Sequence, residues 1–183
     1  MINTNIRNMK NLLFFSILLL IFSYNLFSQN KNSDSICEDA IYVKTDNYEG
    51  VIFGPKCLKR LIIKDGDTID EPRWIPTLQE IEYAEELIRK YVTKKSKHHL
   101  VNQGGKCPII YQNFDKYVRQ YYGVFNQKGQ KILEVNFLWK DSKFIDEWKI
   151  KGIGISDGCS YYWNISVNMK KRKCFNYWVN GIG

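Results

Sequence analysis

Two stretches of alternating sequence, residues 117–139 and 159–179, constrain the fold of this chain more than any other feature. In each stretch, large apolar side chains recur at every second position on both sides of a short polar turn. This is the period of a β-strand, in which successive side chains point to opposite faces of a sheet. The first turn contains Gly129, and the second contains the basic run 170–173. The pattern predicts two aromatic-rich hairpins, and hence an antiparallel sheet of at least four strands.

The alternation also assigns side chains to the two faces of the predicted sheet. The apolar face, which we expect to form the core, carries Leu133, Val135, Phe137, Trp139, Tyr161, Trp163, Ile165, Val167, Phe175, Tyr177 and Val179. The opposite face carries Tyr122, Glu134, Asn136, Tyr162, Asn164, Asn176 and Trp178. Aromatic rings beside amide groups can stack on and hydrogen-bond to a polar ligand or another protein. We treat these seven residues as a candidate binding site. In the alternative, the N-terminal strands or a second copy of the chain cover this face.

A helix is predicted at residues 75–92, before the two hairpins. Thr77 and Glu80 have the spacing of a capping box, in which each side chain accepts a hydrogen bond from the other residue's backbone amide. Apolar residues at three- and four-residue steps form one side: Leu78, Ile81, Ala84, Leu87, Ile88 and Tyr91. Charged residues form the other: Glu82, Glu85, Glu86, Arg89 and Lys90. Such a helix needs an apolar surface to cover. The predicted fold class is therefore α+β, with one long helix packed on the antiparallel sheet.

The N-terminal residues 1–28 have the order of a secretory signal peptide. A basic start with Arg7 and Lys10 precedes an apolar run at residues 12–22, and Ser28 follows at the exit. The alternative is an N-terminal membrane anchor, for which the apolar run is short. We expect an exported protein, periplasmic or extracellular, that meets the membrane only through this peptide before cleavage. The remainder is expected to divide into strands and loops at 29–73, packed on the main domain, and a helix-plus-sheet domain at 74–183.

The charge balance bears on partners rather than on fold. The chain has 27 Lys and Arg and 19 Asp and Glu. Cleavage after Ser28 removes two bases and no acid, which leaves a net charge of +6. Such a charge favours loose association with anionic surfaces. The sequence contains no nucleic-acid-binding motif, so we expect no nucleic-acid partner. The expected partner is a protein or a polar ligand of unknown identity.

The five cysteines are Cys37, Cys57, Cys107, Cys159 and Cys174. In an oxidising compartment they predict one or two disulfides and at least one free thiol. Under strict alternation, Cys159 points to the core face and Cys174 to the opposite face, from different ends of the hairpin. Bridged cysteines need Cα atoms within about 7 Å of one another. We therefore expect no bond between Cys159 and Cys174, and expect any bridge to draw on Cys37, Cys57 or Cys107.

Candidate residues for catalysis are few. Cys107 could act as a nucleophile beside a histidine. Paired carboxylates for a hydrolase could come from Asp141, Asp146 and Glu147. The histidines, His98 and His99, are adjacent in the chain, so their side chains diverge and form a poor metal chelate. We expect no catalytic residues, no metal and no cofactor, and favour a non-enzymatic binding or interaction module of the cell envelope. A small secreted hydrolase that uses Cys107 or the acidic residues is the alternative.

Four segments of the last 110 or so residues carry a resemblance to known proteins. These are residues 74–88, 119–129, 157–163 and 177–181. Their order, a helix followed by antiparallel strands, resembles the cystatin-like arrangement. More specifically, the chain resembles a family of small exported proteins of unknown function from Bacteroidetes-type bacteria. The resemblance implies a fold and an exported location. It supplies no catalytic residues, and a cystatin-like shape does not by itself imply protease inhibition.

Overall fold

A computed structural model describes residues 37, 39–57, 61–64, 67–70, 73–96, 100–143 and 145–183. The predicted signal peptide at 1–28 and the two histidines lie outside these residues. No helix in the described ranges is long and apolar enough to cross a membrane.

The centre of the fold is a six-stranded sheet. Its strands are β1 Ala40–Lys44, β2 Glu49–Phe53, β5 Tyr117–Phe125, β6 Lys131–Trp139, β7 Tyr162–Asn168 and β8 Lys173–Val179, and they lie side by side in this order. A separate two-stranded antiparallel sheet contains β3 Leu61–Lys64 and β4 Asp67–Asp70. The α+β fold class and the sheet are confirmed. Both predicted hairpins are present as β5–β6 and β7–β8.

The predicted antiparallel strands are present as β5 to β8, but the sheet as a whole is mixed, because β2 pairs with β5 in parallel. Parallel neighbours need a long crossover connection. Here the chain between β2 and β5 includes the second sheet and the helix. Periodicity within a strand reports which side chains share a face, and it carries no information about the direction of the neighbouring strand. The sequence pattern therefore could not show this pairing.

The described residues contain one α-helix, α1, at Leu78–Ser96. The capping box is confirmed, since the Thr77 backbone amide donates to Glu80 Oε2 at 2.9 Å and the Glu80 amide donates to Thr77 Oγ1 at 3.2 Å. Ile81, Ala84 and Ile88 are fully buried against the sheet. Leu78, in contrast, is 56% exposed at the start of the helix, so its assignment to the buried side is wrong.

The core lies between α1 and one face of the sheet. Predicted core-face residues that are buried in it are Leu133, Val135, Phe137, Trp163, Ile165, Val167 and Val179. The rings of Phe137 and Trp163 stack with their centroids 3.7 Å apart. Burial of one such large side chain stabilises the fold by about 1.5–3 kcal/mol. Tyr161 departs from the prediction, because it precedes β7 in a short 3-10 helix and packs on the other side of the sheet.

A β-bulge in β8 reverses the alternation near the hairpin tip. Asn164 pairs with Trp178, but Ser166 pairs with Phe175, so β8 carries one extra residue between these pairs. Asn176 takes a left-handed backbone conformation there, with φ of 49°. As a result, Phe175 lies on the face opposite to the one predicted. Cys174 also changes face, and it is buried in the core opposite Val167.

The cysteines form two pairs at disulfide distance. Cys37 is bonded to Cys57, with Cα atoms 4.8 Å apart, and Cys107 to Cys159, with Cα atoms 6.1 Å apart. Cys174 is a free, buried thiol. The expected absence of a Cys159–Cys174 bond is confirmed, although the face assigned to Cys174 was wrong. Burial raises the pKa of Cys174 to about 11, so this thiol is protonated at neutral pH and is a weak nucleophile.

Candidate functional site

The sheet face turned away from α1, which we call the outer face, brings the predicted site residues together by strand register. Tyr122 lies opposite Glu134, and Asn136 lies opposite Asn164. Asn164 in turn lies opposite Trp178. Directly opposed side chains on one face have Cβ atoms about 4.5–5.5 Å apart. Polar and aromatic groups from β5, β6, β7 and β8 therefore form one continuous surface.

Gln120 holds the chain segment between β6 and β7, residues 140–161, over this surface, and we call this segment the connector. The Gln120 side chain is fully buried. Its Nε2 donates to the backbone carbonyls of Trp148 and Lys151, each at 2.8 Å. Its Oε1 accepts from the Ile153 backbone amide at 3.0 Å and from the Tyr122 hydroxyl at 3.1 Å. One amide side chain thus provides hydrogen-bond partners for three backbone groups of the connector.

Two further amide side chains continue this attachment along the connector. Asn136 Nδ2 donates to the Ile153 carbonyl at 2.8 Å. Asn180 Nδ2 donates to the carbonyl of Asp157 at 3.2 Å and to that of Ile155. The connector is therefore held over β5 and β6 by side chains that come from three different strands or strand ends.

An apolar cluster closes one end of the outer face. Its buried members are Cys37, Val51, Phe53, Cys57, Val118, Leu138, Ile145, Trp148 and Tyr162. Phe53 and Tyr122 stack with their ring centroids 5.3 Å apart. The connector, through Ile145 and Trp148, thus covers the part of the face near β2. The strands β1 and β2 extend the sheet itself and do not lie over this face, in contrast to the alternative interpretation. The part near β7 and β8 is left accessible.

A cavity of about 470 Å³ lies between the connector and the accessible part of the outer face. Six of the seven predicted site residues line it: Tyr122, Glu134, Asn136, Tyr162, Asn164 and Asn176. Trp178 does not line the cavity, but it is 65% exposed beside Asn164. The remaining polar lining comes from Arg73, Ser166 and Asn180, and the apolar lining on this face includes Val124, Leu138, Ile153 and Ile155.

Arg73 is a lining residue that sequence reasoning missed. It forms an isolated bridge with Val124 at the edge of the cavity, and its Nη1 donates to the Cys57 carbonyl at 2.6 Å. Its Nε is buried and has no hydrogen-bond partner among the described residues. A single arginine before a predicted helix gives no signal of this placement. Gln120 could have been found from the sequence, because it is a polar residue on the same face of β5 as Tyr122.

The residues considered for catalysis lie outside the cavity. Cys107 is in a disulfide and offers no free thiolate. Asp141, Asp146 and Glu147 are all exposed, and Glu147 lies 3.8 Å from the ammonium group of Lys151. The structure does not bring these groups into the cavity.

One group of potential metal ligands occurs near the N-terminal strands. Atoms of Cys37, Asp39 and Cys57 lie within 4.8 Å of one another. Both sulfurs belong to the disulfide, and a metal ligand must be a deprotonated thiolate. Asp39 also accepts a hydrogen bond from the Lys56 backbone amide at 3.1 Å. The cluster therefore connects the start of β1 to the turn after β2, and its role is structural.

Comparison with known proteins identifies no relative. No protein-family model, no curated protein and no solved structure matches the chain.

Proposed function

We propose that this chain is an exported, non-enzymatic binding module of the cell envelope, and that the outer-face cavity holds its ligand. The proposed ligand is a polar molecule with the chemistry of a sugar. The observation that carries the proposal is the combination of amide side chains and aromatic rings around one cavity of about 470 Å³. Ligand pockets commonly have volumes of about 300–1,000 Å³.

The chemistry of the lining supports a hydroxyl-rich ligand. Amide groups both donate and accept hydrogen bonds, which suits hydroxyl groups. Asn164 and Asn176 are exposed, and their side-chain amides have no hydrogen-bond partner in the described part of the chain, so these amides are available. The half-buried ring of Tyr122 provides a flat apolar surface beside them. Trp178 extends this aromatic surface outside the cavity.

The number of acidic groups at the site favours a binding function over hydrolysis. The described cavity lining includes one carboxylate, that of Glu134. Glycoside hydrolysis generally uses two carboxyl groups on either side of the bond to be cleaved. The cysteine alternative is disfavoured because Cys107 is bonded to Cys159.

Export remains part of the proposal. It is supported by the order of basic, apolar and small residues at 1–28. The two cysteine pairs at disulfide distance are compatible with an oxidising compartment. Mass spectrometry of the protein from a native-like host should find a new N-terminus near residue 29. A full-length chain in the cytosol would contradict export.

We also propose a relationship to the cystatin-like arrangement and to the family of small exported proteins of Bacteroidetes-type bacteria. Its support is the order of elements: α1 precedes β5 to β8, which are antiparallel and pack on the helix. The parallel strand β2 is a departure from that arrangement. An experimental structure that superposes on a cystatin only over the helix would remove this support.

The binding proposal is tested by screening the purified mature protein on an array of neutral and acidic oligosaccharides. Wild type should retain a restricted set of sugars. Asn164→Phe, which puts a ring into the cavity from an exposed strand position, should lose them. The matched control is Gln79→Phe, on the exposed side of α1, which should bind like wild type. Equal retention by wild type and Asn164→Phe, or no retained sugar at all, would contradict the proposal.

A further inference from the structure

The tips of the two hairpins lie side by side and enclose a second depression, of about 450 Å³. The Met169 backbone amide donates to the Lys131 carbonyl at 3.0 Å, which joins the two tips. The depression is lined by Asn126, Gln127, Lys128, Gln130, Asn168, Lys171, Lys173 and Phe175. None of these eight residues is acidic.

Side-chain amides hold the two turns in fixed positions. Gln130 Oε1 accepts from Asn126 Nδ2 at 3.1 Å and from Asn168 Nδ2 at 3.0 Å. Asn126 Oδ1 accepts from the backbone amides of Lys128 and Gln130, at 3.0 and 2.9 Å. Asn168 Oδ1 accepts from the Lys171 amide at 2.8 Å. These amide oxygens are therefore occupied, whereas the amide nitrogen of Gln130 has no acceptor among the described residues.

The three lysines of the depression are not neutralised. Lys128, Lys171 and Lys173 are exposed, and none of them has a carboxylate partner in the described ranges. Two neighbouring bases, Lys131 and Arg172, differ in this respect. Lys131 pairs with Glu80 at 2.9 Å, and the Arg172 guanidinium lies over the Tyr83 ring, 5.6 Å from its centroid. The depression thus carries three ammonium groups without a carboxylate partner in the described ranges.

We propose that this depression binds the phosphate or sulfate group of an anionic ligand. Three ammonium groups and one amide nitrogen at the depression are donors without acceptors among the described residues, and like positive charges around one depression attract an anion of high charge. Phe175 lies on the same side because of the bulge in β8, and it offers an apolar surface to the body of the ligand. The group could belong to a soluble phosphorylated sugar or to a lipid headgroup. This site is independent of the cavity and does not rest on the function proposed for it.

The test uses glucose 6-phosphate, with glucose as the uncharged control, and follows backbone amide signals by NMR at low ionic strength. The phosphate ester should shift signals from residues 126–130 and 168–175 in a saturable manner, and added salt should weaken the effect. The variant Lys171→Gln/Lys173→Gln should bind at least about tenfold more weakly. Lys56→Gln/Lys116→Gln removes the same charge from exposed positions elsewhere and should change affinity by less than about twofold.

A second arm distinguishes the source of the anionic group. Sedimentation with phosphatidylcholine vesicles, with and without phosphatidic acid, reports binding to a lipid phosphate. Binding to either probe that depends on Lys171 and Lys173 supports the site and identifies its source. If both double variants bound the probe equally weakly, net charge alone would explain the binding, and the proposal would be overturned. Failure to bind either probe would overturn it as well. All four lysines are exposed, and unchanged thermal unfolding would verify that the variants are folded.

Discussion

Glu85 and Arg119 place two opposite charges inside the core between α1 and the sheet. Their side chains approach to 3.4 Å and are almost completely buried. Glu85 Oε1 also accepts from the Tyr121 hydroxyl at 3.0 Å, and Arg119 Nη2 donates to the Phe114 carbonyl at 3.1 Å. The burial of Glu85 contradicts its predicted place on the charged side of the helix. Its burial depends on Arg119, which lies 34 residues away, so helical periodicity alone could not show it.

Glu85→Gln should therefore destabilise the protein. The glutamine keeps an oxygen for Tyr121 but leaves the buried charge of Arg119 uncompensated, and removal of one partner of a buried pair costs about 3–5 kcal/mol. Urea unfolding of the two proteins measures the loss. The control is Glu86→Gln, which removes an exposed pair with Lys90 on the same helix and should cost about 0.5 kcal/mol or less. Similar losses in the two variants would show that Glu85 is not buried as described.

At the scale of elements, local signals predicted most of the architecture. The capping box located the start of α1, and alternation located both hairpins, because each pattern depends on residues near one another in the chain. The bulge in β8 escaped prediction, since Asn176 in an alternating stretch looks like any outward-facing strand residue. One extra residue was enough to reverse the faces of Cys174 and Phe175, because the side-chain period of a strand is two.

The bulge predicts how position 176 responds to substitution. Asn176→Val should destabilise the protein by about 1–2 kcal/mol, because a β-branched residue is strained at the positive φ. Asn176→Gly should change stability by no more than about 0.5 kcal/mol, since glycine adopts this conformation readily. Asn164→Val, on the neighbouring strand and without a positive φ, is the control and should be tolerated. Denaturant unfolding measures the free energy of unfolding of the three variants and of wild type. If the Asn176→Val variant proved as stable as wild type, the strand would have to be regular at this position.

At the scale of the whole molecule, the cavity is assembled from parts that are distant in sequence. The outer face of β5, β6, β7 and β8 was visible in the alternation, and so six lining residues could be named from sequence. The opposing wall could not be predicted. It consists of the connector at 152–155, held by Gln120 and Asn136, and of Arg73 beside β5. A polar loop has no periodicity, so its position is decided by tertiary hydrogen bonds.

The most direct test of the binding proposal is to locate the ligand. The oligosaccharide retained best on the array is titrated into ¹⁵N-labelled mature protein, and changes in backbone amide signals are followed by NMR. We expect the largest changes around Asn136, Asn164 and residues 152–155, with α1 unaffected. Asn164→Phe should abolish these changes while the rest of its spectrum remains that of a folded protein. Changes centred on α1 or spread evenly over the surface, or unchanged binding by Asn164→Phe, would contradict the proposal that the outer-face cavity is the binding site.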